Sequence, residues 1–251
     1  MNKTIAISAF CALSLPHMAQ AASVDLTGWV AEDFSTSNQS NWVVSAGTDS
    51  VTQTVNTDPA VFFKPGDNAQ GTELTGSITV GSTSDDDFVG FVLGYQSGEL
   101  TSTNADFWVI DWKRNNQSFY GGLALDGLAL SHVTGDTAAA GLGDLWHHSG
   151  TVQEVARGAT LGSTGWVIGE TYDFALTFTA TLIEVYVNDV LEISYSGNFS
   201  DGAFGFYNYS QNNVTYAGVE AAPAVPLPAS LPLLLAGLGG IGAIRRRKNK
   251  A

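Results

Sequence analysis

Cysteine is the residue that this sequence lacks most. Of its 251 residues only Cys11 is a cysteine, and Cys11 lies in an N-terminal segment that we expect to be removed. The rest of the chain therefore has no thiol for a disulfide, a thiolate metal site or a cysteine nucleophile. We expect a domain that depends on its apolar core, or on a bound metal, for its stability.

Positive charge is almost as scarce. The segment from 22 to 222 holds all 24 acidic residues of the chain but only four basic ones, Lys64, Lys113, Arg114 and Arg157, so its net charge is 4 − 24 = −20. Because phosphate backbones are bound by clustered cations, nucleic acid is excluded as a partner. An acidic surface suits solubility, salt tolerance or divalent cations instead.

Catalytic patterns are missing as well. A glycosidase needs two carboxylates across the scissile bond, and residues i and i+2 of a strand share a face. No Glu in this chain has an Asp two residues later, and no G-x-S-x-G occurs. We therefore predict no catalytic residues and a protein that is not an enzyme. A glycan-active enzyme is the disfavoured alternative.

The first 21 residues are typical of a secretory signal peptide. Lys3 supplies the positive charge, residues 5–15 are apolar, and Ala19-Gln20-Ala21 is a small-residue cleavage site. We expect Ala22 to be the first residue of the mature protein.

The other end, 223–251, has three parts in a fixed order. A proline-broken linker is followed by an apolar, glycine-containing stretch at 231–244 and by the basic cluster 245–248. The linker contains the motif Val225, Pro226, Leu227, Pro228 and Ala229. The basic cluster predicts a membrane segment with its end on the cytoplasmic side, and hence insertion in the inner membrane.

This tail resembles the VPLPA-type and PEP-type sorting tails of Gram-negative bacteria. The resemblance implies recognition at 225–229 by an exosortase-like membrane enzyme, removal of the tail, and release or attachment at the cell surface. A permanent C-terminal anchor is the alternative. Either way we expect the folded part to be exported.

Alternation of apolar and polar residues predicts a strand-rich fold. The strand signals lie at 51–55, 77–80, 88–95, 107–113, 172–179, 183–187, 191–195, 202–209 and 214–219. Asn188-Asp189 is a tight-turn pair that predicts a hairpin. Such strands without interleaved helices indicate an all-β protein of two packed antiparallel sheets. We expect the stretches 96–105, 131–145 and 150–165 to be irregular, functional loops.

Three consecutive carboxylates, Asp85, Asp86 and Asp87, run directly into the apolar strand 88–95. Such closely spaced charges repel. They splay into water, take up a proton, or share a hard cation such as Ca²⁺. The spacing is not that of an EF-hand, so the alternatives are a solvated acidic turn and a calcium site.

Other polar residues on the strands are weaker candidates. Asp111 is either a ligand-binding residue or an exposed strand residue near Lys113, and Asn208 is a candidate polar ligand. Trp146-His147-His148 is a weak candidate for a metal or stacking site, because adjacent histidines on a strand point to opposite faces and suit shared ligation poorly. We expect Trp146 to fill the core instead, with the histidines on a loop. We expect Trp166 to be a core residue.

From about residue 56 to 220 the chain resembles the thrombospondin C-terminal domain, an L-type lectin-like (concanavalin A-like) jelly-roll. The matching landmarks, in order, are 56–59, 85–96, 107–113, 127–130, 145–147, 164–166 and 205–211. The resemblance implies an extracellular domain that binds Ca²⁺ and serves adhesion and matrix contacts. It assigns calcium first to Asp85, Asp86 and Asp87, and next to Asp58.

The chain departs from that family in three ways. The acidic calcium repeats that precede the domain in animal thrombospondins have no counterpart, so we expect any metal site to be self-contained. The terminal cysteine is missing, and Asp106 stands at an arginine-like position, so an animal receptor partner is not inherited.

These observations give two hypotheses of function. The first is an exported calcium-binding module for adhesion or carbohydrate binding, displayed or released outside the cell, whose partner is an extracellular polysaccharide or a surface glycoprotein. The second is a structural component of an exopolysaccharide or biofilm matrix with no specific ligand.

Overall fold

The computed structural model describes residues 21–81 and 85–224. The predicted signal segment up to residue 20, the sorting motif 225–229 and the predicted membrane segment 231–244 lie outside these described residues. Within the described ranges, no helix has both the length and the apolar character to cross a membrane.

The described residues form seventeen strands, two short α-helices (α1 and α2) and one 3₁₀ helix. The strands are β1 (Ala22–Ser23), β2 (Val30–Asp33), β3 (Trp42–Val44), β4 (Ser50–Gln53), β5 (Ala60–Phe63), β6 (Thr72–Val80), β7 (Phe88–Tyr95), β8 (Ala105–Lys113), β9 (Gln117–Phe119), β10 (Gly122–Ala124), β11 (Gly127–Gly135), β12 (Val152–Arg157), β13 (Thr171–Phe178), β14 (Leu182–Val187), β15 (Val190–Ser196), β16 (Ala203–Tyr209) and β17 (Val214–Pro223). The helices are the 3₁₀ helix Glu99–Thr101, α1 (Thr137–Ala140) and α2 (Leu142–His147).

The strands build two antiparallel sheets and one separate hairpin. The eight-stranded sheet has the order β15-β14-β13-β6-β17-β4-β3, with β1 also paired to β17, and the seven-stranded sheet has the order β12-β11-β8-β7-β16-β5-β2. The last two strands, β16 and β17, each insert between two earlier strands of a different sheet, so the chain crosses between the layers as in a jelly-roll. The predicted all-β antiparallel sandwich is confirmed.

The main core lies between the two sheets. Alternation along β8 points Trp108, Ile110 and Trp112 into it, and all three are buried. They meet buried side chains of the eight-stranded sheet, which include Ile78, Phe174, Leu176, Phe178, Val185 and Tyr216. Each such large apolar side chain stabilises the fold by about 1.5–3 kcal/mol through burial.

A second core covers the opposite face of the seven-stranded sheet. Phe107 and Val109 of β8 point into it, together with Trp146 of α2. Because strands such as β7 and β8 are buried on both faces, their sequences are almost continuously apolar rather than alternating. Residues at the next outward positions of β8, Asp111 and Lys113, are therefore interior residues.

The hairpin prediction is confirmed, and two of the three loop predictions are partly wrong. Asn188 and Asp189 connect β14 to β15 with φ of 48° and 64°, the left-handed pair of a type I′ turn. In contrast, 131–135 continues β11, and 152–157 is the edge strand β12. That edge strand has polar residues at Gln153 and Glu154 and only one fully buried side chain, so its alternation is too weak to signal a strand.

Candidate metal centre

The three aspartates lie together just before β7. Each of Asp85, Asp86 and Asp87 has one carboxylate oxygen that lies within 4.8 Å of the corresponding oxygens of the other two. Asp87 is buried and the other two are half-buried. The backbone of this segment is fixed from two sides, since the Asp87 N–H donates to Gln211 Oε1 (3.0 Å) and Trp166 Nε1 donates to the Asp87 carbonyl (3.1 Å). The aspartates are thus held in place rather than free to splay apart.

A buried lysine partly neutralises the cluster. The Lys113 ammonium, 0% exposed, donates to the Asp87 carboxylate, to Asp86 Oδ1 (3.4 Å) and to Gln117 Oε1 (2.9 Å). Its Nζ also lies 4.7 Å from the ring centre of Trp146. This internal cation is a fourth way to relieve the repulsion, beside the solvation, protonation and calcium binding expected from the sequence. Lys113 continues the alternate positions of Phe107, Val109 and Asp111 on β8, but its burial depends on the cover that α2 and the hairpin β9–β10 provide.

One ammonium does not balance three carboxylates. Burial, with the neighbouring Asp85 carboxyl, raises the pKa of Asp87 to about 7, although Lys113 opposes the shift. The cluster therefore keeps an excess of negative charge that a further cation or a proton would relieve.

The donor set fits a calcium ion. Ca²⁺ binds oxygens at 2.3–2.6 Å, so two ligands of one ion lie at most about 5 Å apart, which agrees with the spacing of the three carboxylates. Two amides orient them: Asn56 Nδ2 donates to Asp85, and Asn115 Nδ2 donates to Asp86 Oδ2 (2.9 Å). Because Ca²⁺ takes six to eight oxygens, carbonyl or water oxygens would have to complete the set.

Asp58 is not part of this group. Among the described residues the cluster comprises Asp85, Asp86 and Asp87 alone, while Asp58 accepts a 3.4 Å hydrogen bond from Asn38. From the same loop it is Asn56 that reaches the aspartates. Asn56 also donates to the Ser210 carbonyl (2.9 Å), so it ties the cluster to the end of β16.

Asp111 lies in a buried ion-pair network under α2. Its Oδ2 is 2.9 Å from His148 Nε2, and His148 Nδ1 is 3.3 Å from Glu154 Oε2. Burial alone would lower the pKa of His148, but Asp111 and Glu154 raise it to about 9. The interpretation of Asp111 as an exposed strand residue is wrong. Its role as a ligand-binding residue stays a prediction.

The network continues to β12. Burial opposes ionisation of Glu154, but His148 and Arg157 hold the pKa of Glu154 at about 2; the Arg157 Nη2–Glu154 Oε2 distance is 2.9 Å. His148 follows α2 directly, so its side chain fastens this helix to β8 and β12. The prediction that both histidines lie on a loop is wrong, since His147 ends α2.

Asn208 does not belong to the acidic cluster. It is fully buried in β16, opposite Val89 of β7 and on the face between the sheets, and neither polar atom of its side chain has a hydrogen-bond partner among the described residues. Its role as a ligand stays a prediction. The core predictions for Trp146 and Trp166 are confirmed, with exposures of 2% and 1%.

Comparison with known proteins decides the family. The family model described as "Thrombospondin C-terminal region" matches residues 37–223. The chain belongs to the thrombospondin C-terminal family. A second model, the PEP-CTERM protein-sorting motif, matches residues 224–248, which confirms the sorting tail and indicates export. Both resemblances drawn from the sequence are thus confirmed.

Relatives of the thrombospondin C-terminal family are much longer than this chain. Thrombospondin-3b of Danio rerio is 29% identical over 204 residues, which cover 71% of this chain and 20% of that protein. Cartilage oligomeric matrix protein of Homo sapiens is 27% identical over 204 residues, which cover 72% of this chain and 25% of that protein. The chain therefore spans a fifth to a quarter of these two relatives.

A solved structure shows the same lectin-like fold. The carbohydrate-binding module CBM66 from Bacillus subtilis superposes with a TM-score of 0.54 over 78% of this chain and 96% of that one, at 10% identity. At this identity the likeness concerns the fold alone.

Proposed function

We propose that this chain is an exported, calcium-dependent module for carbohydrate binding or adhesion in a Gram-negative bacterium. Its partner is an extracellular polysaccharide or a surface glycoprotein, and it has no enzymatic activity. An exosortase-like enzyme processes its tail. The observation that carries the proposal is the cluster of three oriented carboxylates compensated by a single buried ammonium.

The chemistry of the site follows from its residues. Asp85, Asp86 and Asp87 would hold the ion, with Asn56 and Asn115 keeping the outer carboxylates in position. A bound calcium ion supplies positive charge and open coordination positions for hydroxyl oxygens. Since these residues come from the segment before β7, the loop before β5 and the turn after β8, ion binding would tie three segments of one sandwich edge together.

A structural matrix component without a specific ligand is the second candidate. The sorting motif and the strongly acidic composition support it, because export and high charge suit a hydrated matrix. Deletion of the protein followed by complementation separates the two candidates. If a triple Asp→Asn variant at 85–87 restores the matrix fully, the matrix role is favoured, and if it does not, the calcium-dependent role is favoured.

Calcium is expected to raise the thermal stability of the 22–224 domain. At a free Ca²⁺ concentration one hundred times the dissociation constant, binding to the native state adds about 2.7 kcal/mol. For a domain of this size that is a rise in Tm of about 5–10 °C. Differential scanning calorimetry in Ca²⁺ and in chelator measures it.

A matched pair of charge variants controls this measurement. Asp86→Asn removes one half-buried cluster carboxylate and should remove most of the calcium-dependent rise. Asp67→Asn removes an exposed carboxylate that pairs with Lys64 at 3.5 Å and should leave the rise unchanged. Equal Tm values of the wild-type domain in Ca²⁺ and in chelator would show that the carboxylates bind no calcium, and would contradict the proposal.

A further inference from the structure

The hairpin β9–β10 exposes an unusual group of apolar side chains. Phe119 is 54% exposed and Tyr120 is 42% exposed. We call these two side chains the aromatic platform. Leu123 and Leu125 are about half exposed, but Leu123 pairs with Ser118 whereas Phe119 pairs with Gly122, so the leucines lie on the other face of the hairpin. Exposed large apolar side chains elsewhere in the described residues are aliphatic, so this is where aromatic faces meet solvent.

The platform rests on a rigid support. The rings of Phe119 and Tyr120 lie 5.7 and 5.9 Å from Trp146, which is buried in the second core. His147 Nε2 is 3.0 Å from the Phe119 carbonyl. A Cβ atom at Gly122 would lie 2.6 Å from the His147 ring, so the hairpin packs directly on α2. Side chains held this way lose little conformational entropy when a ligand binds.

The turn of the hairpin carries a residue that its backbone disfavours. Tyr120 and Gly121 have φ of 48° and 80°, the type I′ geometry in which Asn-Gly is preferred. A bulky side chain in the left-handed region is strained. Tyr120 contacts Phe119 at 4.3 Å, and the two rings meet at 64°. The strained residue, Tyr120, is therefore one whose side chain enlarges the exposed aromatic surface.

We propose that the aromatic platform binds the apolar face of a pyranose ring in a neutral glycan. The electron-rich ring faces attract the partly positive C–H groups of a sugar. Two side chains are too few for a stable protein interface, which needs about 800 Å² on each partner. The acidic domain also repels anionic lipids and anionic polymers. The inference rests on the proposed function for its ligand class, a glycan. It adds where on the domain the glycan binds and that the glycan is uncharged.

The platform and the candidate metal centre share a buried support. Trp146 touches Phe119 on one side and lies 4.7 Å from the Lys113 ammonium on the other. Gln117, the first residue of the hairpin, accepts a hydrogen bond from Lys113. The platform and the cluster are therefore joined through these interior contacts, so a change at one can be transmitted to the support of the other.

Affinity electrophoresis of the 22–224 domain tests this inference. The gels contain soluble neutral polysaccharides of glucose, galactose or mannose, each with Ca²⁺ present, and an anionic polysaccharide as comparison. Phe119→Ala should weaken the retardation, with a dissociation constant raised at least about tenfold. Phe119→Trp should leave the dissociation constant close to that of the wild type. Leu191→Ala removes an exposed apolar side chain of the eight-stranded sheet, 41% exposed, and should bind as the wild type does. Thermal unfolding establishes that each variant is folded.

The outcomes separate this inference from the proposed function. Retardation of the wild type that Phe119→Ala does not change would overturn the platform and leave a glycan-binding module with another site. Absence of retardation by every neutral polysaccharide would overturn the platform and glycan binding together. Binding to phosphatidylcholine vesicles instead, lost in Phe119→Ala, would identify the platform as a lipid contact and likewise overturn the inference.

Discussion

Replacement of Lys113 by methionine is expected to lower the free energy of unfolding by about 3–5 kcal/mol in chelator at neutral pH. Removing one partner of a buried ion pair leaves the other charge without compensation. Here the substitution removes more than one contact, because the Lys113 ammonium donates hydrogen bonds to Asp86, Asp87 and Gln117. Methionine keeps the apolar stem beside Phe88 and Trp146. Urea unfolding monitored by tryptophan fluorescence measures the change.

Calcium should reduce this deficit, because the ion and the ammonium neutralise the same carboxylates. We expect the difference between wild type and Lys113→Met to be smaller in millimolar Ca²⁺ than in chelator. Lys64→Met is the control: Lys64 forms an exposed pair with Asp67, and its loss should cost less than about 1 kcal/mol. A deficit that is identical with and without Ca²⁺ would show that the ammonium and the ion act independently.

Strands with one buried and one solvent-exposed face were predictable from the sequence. In β13, Phe174, Leu176 and Phe178 are buried and the residues between them are not, which is the alternation that the sequence shows directly. The turn at 188–189 was predictable for a different reason, since Asn and Asp are the residues that tolerate positive φ. Such local rules gave the fold class and the existence of two antiparallel sheets.

The second core was not predictable from the same rules. It forms because two short elements, α2 and the hairpin β9–β10, cover the outer face of the seven-stranded sheet. Helix α2 has only six residues, and each strand of the hairpin has three. Neither element is long enough to show a helical or alternating period. Without that cover Asp111 and Lys113 would be surface residues, which is the usual place for charge.

The acidic cluster was predictable as a group but not in its partners. Three adjacent aspartates are visible in the sequence, whereas the hydrogen bond from Asn56 to Asp85 spans 29 residues and the one from Asp87 to Gln211 spans 124. These partners depend on the order of strands in the sheet, so no local pattern points to them. The same holds for His148, which is 37 residues from Asp111.

The ion pair of His148 is expected to make stability depend on alkaline pH. The folded-state pKa of about 9 lies above the ordinary value of 6.5, so the pair's contribution is fully present below about pH 6.5. It is lost as pH rises through about 9. A difference of this size corresponds to about 3 kcal/mol. Urea unfolding at steps between pH 6.5 and 10 measures the loss.

A neutral pair at the same positions isolates this contribution from other titrating groups. The double variant His148→Gln with Asp111→Asn keeps polar groups of similar size but has no charge to titrate at either site. Wild-type stability should therefore fall more steeply than that of the double variant between about pH 6.5 and 9. The single variant His148→Leu should cost about 3–5 kcal/mol at pH 7, because it leaves the buried Asp111 carboxylate unpaired. Parallel pH profiles would mean that the imidazole is neutral in the native state, and would contradict the prediction.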